Sequence, residues 1–290
     1  MTSGIPPALR AGHPLLGLGY SQPVRDRAFV RLDDGRVEAA EAPVAEEVPV
    51  AFVFNGRPHV VMMATPDDIE DFAVGFTLTE EIVPSPAAIG RVEAVRYSQG
   101  IELQVTIPEG AAAELESRGR QLAGRTGCGL CGVQTIAQAL REPREVPARE
   151  PITVDALWRA EAELGTRQRY NQATGAMHAA GWATRDGAIE VVREDVGRHN
   201  ALDKVIGALA RRGADPGAGF LIMTSRASYE LVQKAAVAGV PLLAAISRPT
   251  GLAIRLAQAA GITLVGLLRG RSGNVYAHAE RLGLRAPAAE

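Results

Sequence analysis

The stretch of residues 219–267 reads GFLIMTSRASYELVQKAAVAGVPLLAAISRPTGLAIRLAQAAGITLVGL. Three short apolar runs in it, at 219–223, 242–246 and 262–267, have the length and composition of buried strands. Between them, from about Ser228 and again over 252–259, apolar residues recur at helical spacing. Strands that alternate with helices through short connections are typical of a layered α/β sheet whose central strands are buried on both faces. We therefore predict an α/β domain in the second half of the chain.

The same alternation continues upstream of this stretch. Ile189, Val191 and Val192 predict a further strand, and an apolar face that includes Leu202 and Val205 predicts a helix over 198–209.

The first half of the chain predicts a smaller α+β domain made of two hairpins and one helix. Strand patterns at 52–54 and 57–63 flank Asn55-Gly56, a pair that tolerates the positive φ of a tight turn. A second hairpin is predicted from 94–97 and 101–105. Between the hairpins, Thr65-Pro66-Asp67-Asp68 is typical of a helix start, since it offers a capping hydroxyl, an early proline and acids near the positive end of the helix dipole. We expect this helix to reach Leu78.

Segments rich in proline divide the chain. The charged segment 142–151 contains Pro143, Pro147 and Pro151 and is the best candidate for a domain boundary. The Pro- and Gly-rich N-terminus is interpreted as a flexible leader. We therefore predict a leader over 1–27, an N-terminal α+β domain over 28–145 and the layered α/β domain over 146–285.

Composition limits the functional classes. The chain has 290 residues, of which 47% are hydrophobic and 22% charged, so it can bury a substantial core. Its net charge of -2, from 31 basic and 33 acidic residues, gives no electrostatic case for bulk binding of nucleic acid or an anionic membrane. No apolar run approaches the roughly 20 residues of a membrane helix. Two closely spaced cysteines do not make a secreted disulfide framework, so we expect a cytoplasmic protein.

Both cysteines of the chain lie in Gly127-Cys128-Gly129-Leu130-Cys131-Gly132. Apolar residues after Gly132 fit a short amphipathic helix, which would place Cys131 near a helix N-terminus, where the dipole favours a thiolate. A glycine-lined loop with two thiols suits metal binding, disulfide exchange or sulfur transfer.

These three chemistries make different demands on the rest of the chain. Structural zinc needs two further ligands, but no second CxxC exists and the five histidines form no HxxxH pair. A thioredoxin-like pair usually follows an early strand of a βαβ unit, whereas this pair lies in mid-chain after hairpins. A persulfide carrier needs an exposed thiol of lowered pKa beside a second thiol that can resolve or relay the sulfur. The loop meets the demands of the carrier, which is the favoured interpretation.

A set of motifs in fixed order then makes the chain recognisable. The segments that carry the resemblance are Ala64-Thr65-Pro66, Gly75-Phe76, Glu80, 124–132, 174–180, 193–204 (REDVGRHNALDK), 225–228, Lys234, 247–250 and Arg269. Over residues 52–282 the chain resembles the formate dehydrogenase accessory sulfurtransferase family, FdhD. One CxxC is weak evidence, but the block at 193–204 in order with the others is highly specific.

The resemblance implies a fold and a function. The fold is a cytidine-deaminase-like layered sheet domain with a smaller α+β N-terminal domain. The function is that of a cytoplasmic sulfur carrier, which takes persulfide sulfur from a cysteine desulfurase and passes it to the molybdenum bis-guanylyl-molybdopterin cofactor that formate dehydrogenase requires. Cys128 matches the persulfide-bearing cysteine and Cys131 the second thiol. A homodimer is also implied, and no metal is expected on protein side chains.

The resemblance also implies a cofactor-binding segment near the C-terminus, Leu268-Arg269-Gly270-Arg271-Ser272-Gly273. Two arginines among glycines suit it physically, because the backbone can approach a nucleotide while guanidinium groups face phosphate. His178, Ser225 and Arg226 are further candidates for this pocket. For His178 the alternative is packing beneath the pocket, and for Ser225 and Ser228 it is a plain helix N-cap.

Some positions allow two interpretations or depart from the family pattern. Asp195 and His199 form a proton relay or ligand pair on one helical face, or Asp195 caps the helix and His199 is a satisfied histidine. Lys234 is either functional or a surface lysine. The departures are Thr77, Glu81 and Ala176, in place of an apolar residue, a glycine and a second glycine.

Two other functions compete with the sulfurtransferase. A non-catalytic chaperone would bind the molybdenum cofactor and dock it to formate dehydrogenase without using Cys128. A zinc hydrolase, suggested by analogy of fold, lacks support because the HxE/PCxxC pattern of zinc deaminases is missing.

Overall fold

The structure is a computed structural model that describes residues 22–120, 140 and 142–284. Cys128, Cys131 and the predicted helix after Gly132 lie outside the described residues, as does most of the predicted leader.

The N-terminal half contains a separate two-stranded hairpin and a four-stranded sheet with its helices. The elements are β1 (Val24–Asp33), β2 (Arg36–Ala45), β3 (Val48–Phe54), β4 (Arg57–Ala64), α1 (Ile69–Thr79), β5 (Val92–Tyr97), β6 (Gly100–Val105) and α2 (Glu109–Arg120). The sheet has the order β4-β3-β6-β5 and is antiparallel except between β3 and β6. Helix α1 covers one face, where the rings of Phe72 and Phe76 lie 5.1 and 4.3 Å from that of Phe52. Both hairpins predicted for the sheet are confirmed.

The C-terminal half contains a six-stranded sheet. Its elements are α3 (Val154–Thr166), α4 (Arg169–Thr174), β7 (His178–Thr184), β8 (Ile189–Asp195), α5 (Arg198–Arg211), β9 (Gly219–Met223), α6 (Tyr229–Val237), β10 (Leu242–Ala245), α7 (Gly251–Ala260), β11 (Thr263–Arg269) and β12 (Ser272–Ala277). The strand order is β12-β11-β10-β9-β7-β8, in which β9, β10 and β11 are parallel. The mixed α/β class predicted from the alternation is confirmed.

Helices cover both faces of the six-stranded sheet. On one face α5, α6 and α7 share a core with alternate residues of the strands, and on the other face α3 does the same. The residues of β7 show the alternation, because Ala180 and Trp182 belong to the first core and Ala179 belongs to the second.

Helices α1 and α5 join the two sheets. They cross so closely that a Cβ on Gly75 would lie 1.7 Å from the carbonyl oxygen of Asp203, and one on Gly207 would lie 1.8 Å from that of Asp71. The layers therefore run from α3 through the six-stranded sheet and its three helices to α1 and the four-stranded sheet.

Two sequence predictions need correction. The leader does not extend to Arg27, since β1 begins at Val24 and pairs with β2 over its whole length. The first helix begins at Ile69 rather than at Thr65, with Asp68 at the N-cap and no side-chain cap. The segment 268–273, which the resemblance implies binds the cofactor, spans the turn of the β11–β12 hairpin.

Glu81, one of the departures from the family pattern, lies at a position with an unusual backbone conformation. Glu81 has a φ of 55°, in the left-handed region that favours glycine. The glycine expected by resemblance would adopt this conformation without strain.

Candidate functional site

Loops at the carboxyl ends of the parallel strands bring several predicted residues together. His178 opens β7 beside the loop after β9, where Thr224 N donates to Ala179 O at 3.0 Å. Ser225 and Arg226 follow in that loop. We call this end of the six-stranded sheet, with the loops that follow β8, β9, β10 and β11, the carboxyl edge. Open α/β sheets bind ligands at this position.

His178 lies on the α5 side of the carboxyl edge. It is half-buried, and burial together with the nearby Arg198 guanidinium lowers the pKa of His178, which favours the neutral imidazole. The Nε of Arg198 is buried without a hydrogen-bond partner among the described residues. A neutral imidazole and a guanidinium with an unmet hydrogen bond can both donate to an anionic ligand.

His199 and Glu230 lie beside this pair. The Nε2 of His199 is 3.4 Å from Ser228 Oγ and 3.7 Å from Glu230 Oε2. The neighbouring His199 imidazole and Ser228 hydroxyl lower the pKa of Glu230 to about 2, so this carboxylate stays ionised. Ser228 occupies the N-cap position of α6, but its hydroxyl makes no cap hydrogen bond. The alternative of a plain helix N-cap therefore holds for the position of Ser228 but not for its side chain.

The segment 268–273, predicted to bind the cofactor, lies in the β11–β12 hairpin, at a different place along the same edge. Strand registers place its strand, β11, three strands from β7, which corresponds to about 14 Å. Its turn lies beside α3, where Arg271 Nη2 is 3.5 Å from Asp155 Oδ1 in an open cavity of about 1060 Å³. The described lining of that cavity also includes Arg159, Arg185 and Asp186, so charges of both signs surround Arg271. The structure therefore does not bring Arg271 together with His178.

Asp195 does not form a helical pair with His199. It ends β8, before α5 begins at Arg198, so the proposed shared helical face is wrong. Its Oδ1 accepts from Gly197 N at 2.8 Å, which resembles the capping alternative. Its Oδ2 lies 2.7 Å from Lys204 Nζ, and both side chains are fully buried.

The Asp195–Lys204 pair fixes the loop that leads into α1. Thr65 N donates to Asp195 at 2.9 Å, and Lys204 donates to Thr65 O at 3.0 Å. Thr65 Oγ1 accepts from Val196 N at 3.1 Å. Thr65 therefore joins the two halves instead of capping the first helix.

Lys234 is buried rather than a surface lysine, since only 7% of it is exposed. Its ammonium lies 2.9 Å from Glu80 Oε1 and 2.9 Å from Asp203 Oδ2, and it donates to Thr79 Oγ1 at 2.9 Å. Burial opposes the charge, but Asp203 and Glu80 outweigh it and raise the pKa of Lys234.

Like Lys234, Lys204 is a buried lysine paired with a buried aspartate, and sequence reasoning did not identify it. Residue usage could have pointed to it, because Lys204 and Lys234 are the only lysines among the 31 lysine and arginine residues of the chain. Lysine suits these two positions because its compact ammonium fits between buried oxygens, where the larger planar guanidinium of arginine would not.

Two absences apply to the part of the chain that the structure describes. Within residues 22–120, 140 and 142–284, no group of three or more His, Cys, Asp or Glu side chains is arranged to hold a metal ion. In those same ranges, each helix is too short or too polar to span a bilayer.

Comparison with known proteins gives consistent matches. A sequence model of the FdhD/NarQ family matches residues 45–283. Sulfur carrier protein FdhD of Xanthomonas campestris pv. campestris is 52% identical over 268 residues, which cover 91% of this chain and 95% of that protein. Sulfur carrier protein FdhD of Bordetella petrii is 48% identical over 262 residues, covering 90% and 94%.

A solved structure has the same fold. The crystal structure of a candidate formate dehydrogenase accessory protein from Desulfotalea psychrophila superimposes with a TM-score of 0.71 at 23% identity, covering 90% of this chain and 100% of the other. This likeness supports the mixed α/β architecture.

Proposed function

The chain belongs to the FdhD/NarQ family, and on that premise we propose that it is a sulfur carrier that acts through a persulfide on Cys128. The observation that carries the proposal is the likeness to proteins named sulfur carrier protein FdhD, at 52% and 48% identity over nine-tenths of the chain. The chain places its whole supply of thiols in one CxxC, which agrees with that chemistry.

Loading is a thiol exchange that balances without an added oxidant. The thiolate of Cys128 attacks the outer sulfur of a persulfide on a cysteine desulfurase. A bond forms between Cys128 Sγ and that sulfur, the donor's sulfur–sulfur bond breaks, and the donor cysteine leaves as a thiolate.

Delivery as sulfide uses the second thiol. The thiolate of Cys131 attacks Cys128 Sγ, a disulfide forms between the two cysteines, and the outer sulfur leaves as hydrosulfide. The two thiols supply the two electrons, and a reductant such as a cellular thiol restores the pair.

The proposed acceptor is the molybdenum bis-guanylyl-molybdopterin cofactor of formate dehydrogenase. Its phosphate groups suit the arginines of the carboxyl edge, because guanidinium forks match phosphate oxygens. His178, Ser225, Arg226 and the segment 268–273 are the proposed contacts. The cytoplasmic location, the homodimer and the cytidine-deaminase-like layering belong to the same proposal.

Replacement of Cys128 separates this proposal from the chaperone alternative. In cells that lack their own copy of the chain, we expect Cys128→Ala to leave formate dehydrogenase activity at the background level. Activity near that of the unchanged protein would support a chaperone that needs no thiol. Comparable accumulation of the variant, with the same unfolding midpoint, is the control for loss by misfolding.

A further inference from the structure

The hairpin of β1 and β2, which we call the arm, extends away from both larger sheets. Its base is held, because β2 packs against α4 and Arg27 forms an ion pair with Glu46. Beyond the base, every residue of 26–33 and of 36–39 is exposed. A two-stranded ribbon with no layer packed against it is only marginally stable in water. The arm therefore needs a packing surface that the described part of its own chain does not supply.

One face of the arm is apolar over its outer half. Four uncharged side chains share this face by strand register, Val30 and Leu32 from β1 with Ala39 and Val37 from β2. Leu32 is 77% exposed and Val37 is 70% exposed. Apolar side chains that alternate along a strand are typical of a surface that packs against another layer.

The four-stranded sheet also has an apolar face that is open at β4. Helix α1 covers the face that holds Phe52, and alternation along the strands turns the neighbouring residues to the other side. Four apolar residues lie on that other side, Pro49 and Ala51 of β3 with Met63 and Val61 of β4, and we call them the bare face. Val61 is 56% exposed and Met63 is 46% exposed.

A second copy of the chain covers both surfaces at once. A foreign protein on the arm would leave the bare face open, and one on the bare face would leave the arm open. Two copies related by a twofold axis bring the arm of each to the bare face of the other, since contacts in such a pair are reciprocal. The four residues of each surface are uncharged, so the contact buries no unmatched charge among them.

The area of the arm favours a reciprocal contact over a single one. The ribbon is about 10 Å wide and its exposed part is about 26 Å long, so one arm covers about 260 Å². Counted on both partners, one arm buries about 500 Å², which is below the size of a specific interface. Two arms bury about 1,000 Å², which reaches the lower limit for such an interface.

We propose that the chain dimerises by exchange of arms, with the apolar face of each arm on the bare face of the other copy. The inference rests on the proposed function in one respect, because it supplies an interface for the homodimer named there. The family model matches residues 45–283, and the arm precedes them. Membership of the family therefore does not by itself imply this interface.

Gel filtration coupled to light scattering measures the mass of the full chain in solution. The unchanged chain has the mass of two copies. Leu32→Lys in the arm and Val61→Glu in the bare face each weaken the dimer about a hundredfold or more, because each buries unpaired charges in an apolar contact. Leu284→Glu, at an exposed leucine outside both surfaces, is the matched control and leaves the dimer unchanged. Circular dichroism of each variant checks that the fold is retained.

A mixture of the two defective variants tests the exchange itself. Leu32→Lys keeps an intact bare face and Val61→Glu keeps an intact arm, so a mixed dimer has one unchanged contact. In its other contact the new lysine and the new glutamate meet on the same pair of surfaces. The exchange therefore predicts that an equal mixture forms dimers at concentrations where each variant alone is a monomer.

Four results would overturn the exchange of arms. The unchanged chain has the mass of one copy at every concentration, either defective variant keeps the dimer, their mixture forms none, or Leu284→Glu weakens the dimer equally. Persulfide loading of Cys128 is measured on the same preparations by intact mass spectrometry. A chain that loads sulfur but does not exchange arms keeps the proposed function, so the two failures remain distinguishable.

Discussion

At the scale of single residues, the two lysines hold the halves of the molecule together by neutralising the buried carboxylates of Asp195 and Asp203. Lys204 and Asp195 are both 0% exposed. The ammonium of Lys204 fits between Asp195 Oδ2 and Thr65 O, at 2.7 and 3.0 Å, and the larger planar guanidinium would need a different cavity. Breaking such a pair leaves a buried charge unmatched, which costs more than the pair itself contributes.

Replacement of Lys204 tests this role. We expect Lys204→Met to lower the free energy of unfolding at neutral pH by about 3–5 kcal/mol, because Asp195 keeps an uncompensated charge. Adding Asp195→Asn removes that charge, so the double variant should recover part of the loss. Urea unfolding followed by circular dichroism measures both. A loss below about 1 kcal/mol in the single variant would show that water reaches the pair.

At the scale of elements, the crossing of α1 and α5 depends on glycine at both contact points. Gly75 and Gly207 let the helix backbones touch, since any Cβ would enter a carbonyl of the partner helix. Arg193 and Arg211 add contacts to Asp71 at 2.7 and 2.6 Å beside the crossing.

The glycine contacts give a prediction with a matched control. Gly75→Ala and Gly207→Ala should each cost about 3 kcal/mol or more, because backbone cannot move aside as a side chain can. Gly165→Ala places a methyl group in a helix where nothing lies within 4 Å. That variant should gain about 0.5–1 kcal/mol from its helix propensity. Thermal unfolding of the three variants compares them, and tolerance of alanine at Gly75 would contradict the crossing geometry.

Elements with strong periodicity could be predicted, and elements without it could not. The strands β9, β10 and β11 are apolar runs, and the helices between them have one apolar face. Strand β7 was missed because His178–Thr184 consists mostly of small residues and gives no apolar run. The start of α1 was misplaced because the Thr65 hydroxyl accepts from Val196 N, a contact from distant sequence.

At the scale of the whole molecule, the two sheets act as one body that presents the carboxyl edge. The block at 193–204, the most specific part of the family resemblance, contributes mainly internal contacts through Asp195, Asp203 and Lys204. Arg198 and His199 from that block lie at the edge instead. Sequence identified the block, but strand register was needed to separate its structural residues from its edge residues.

Register also explains what sequence could not show about the binding residues. His178, Ser225 and Arg226 lie together, while Arg271 lies beside α3 about three strand spacings away. The assignment of Cys128 and Cys131 rests on sequence alone, because both lie outside the described residues.

The central claim, that Cys128 carries sulfur, is tested most directly by intact mass spectrometry after incubation of the full chain with a cysteine desulfurase and free cysteine. The account predicts that the unchanged protein gains the mass of one sulfur atom and loses it on treatment with a reducing thiol. Cys128→Ala should gain none, while Lys204→Met, which leaves both thiols in place, should still load. No added sulfur on the unchanged protein, or equal addition to Cys128→Ala, would contradict the account.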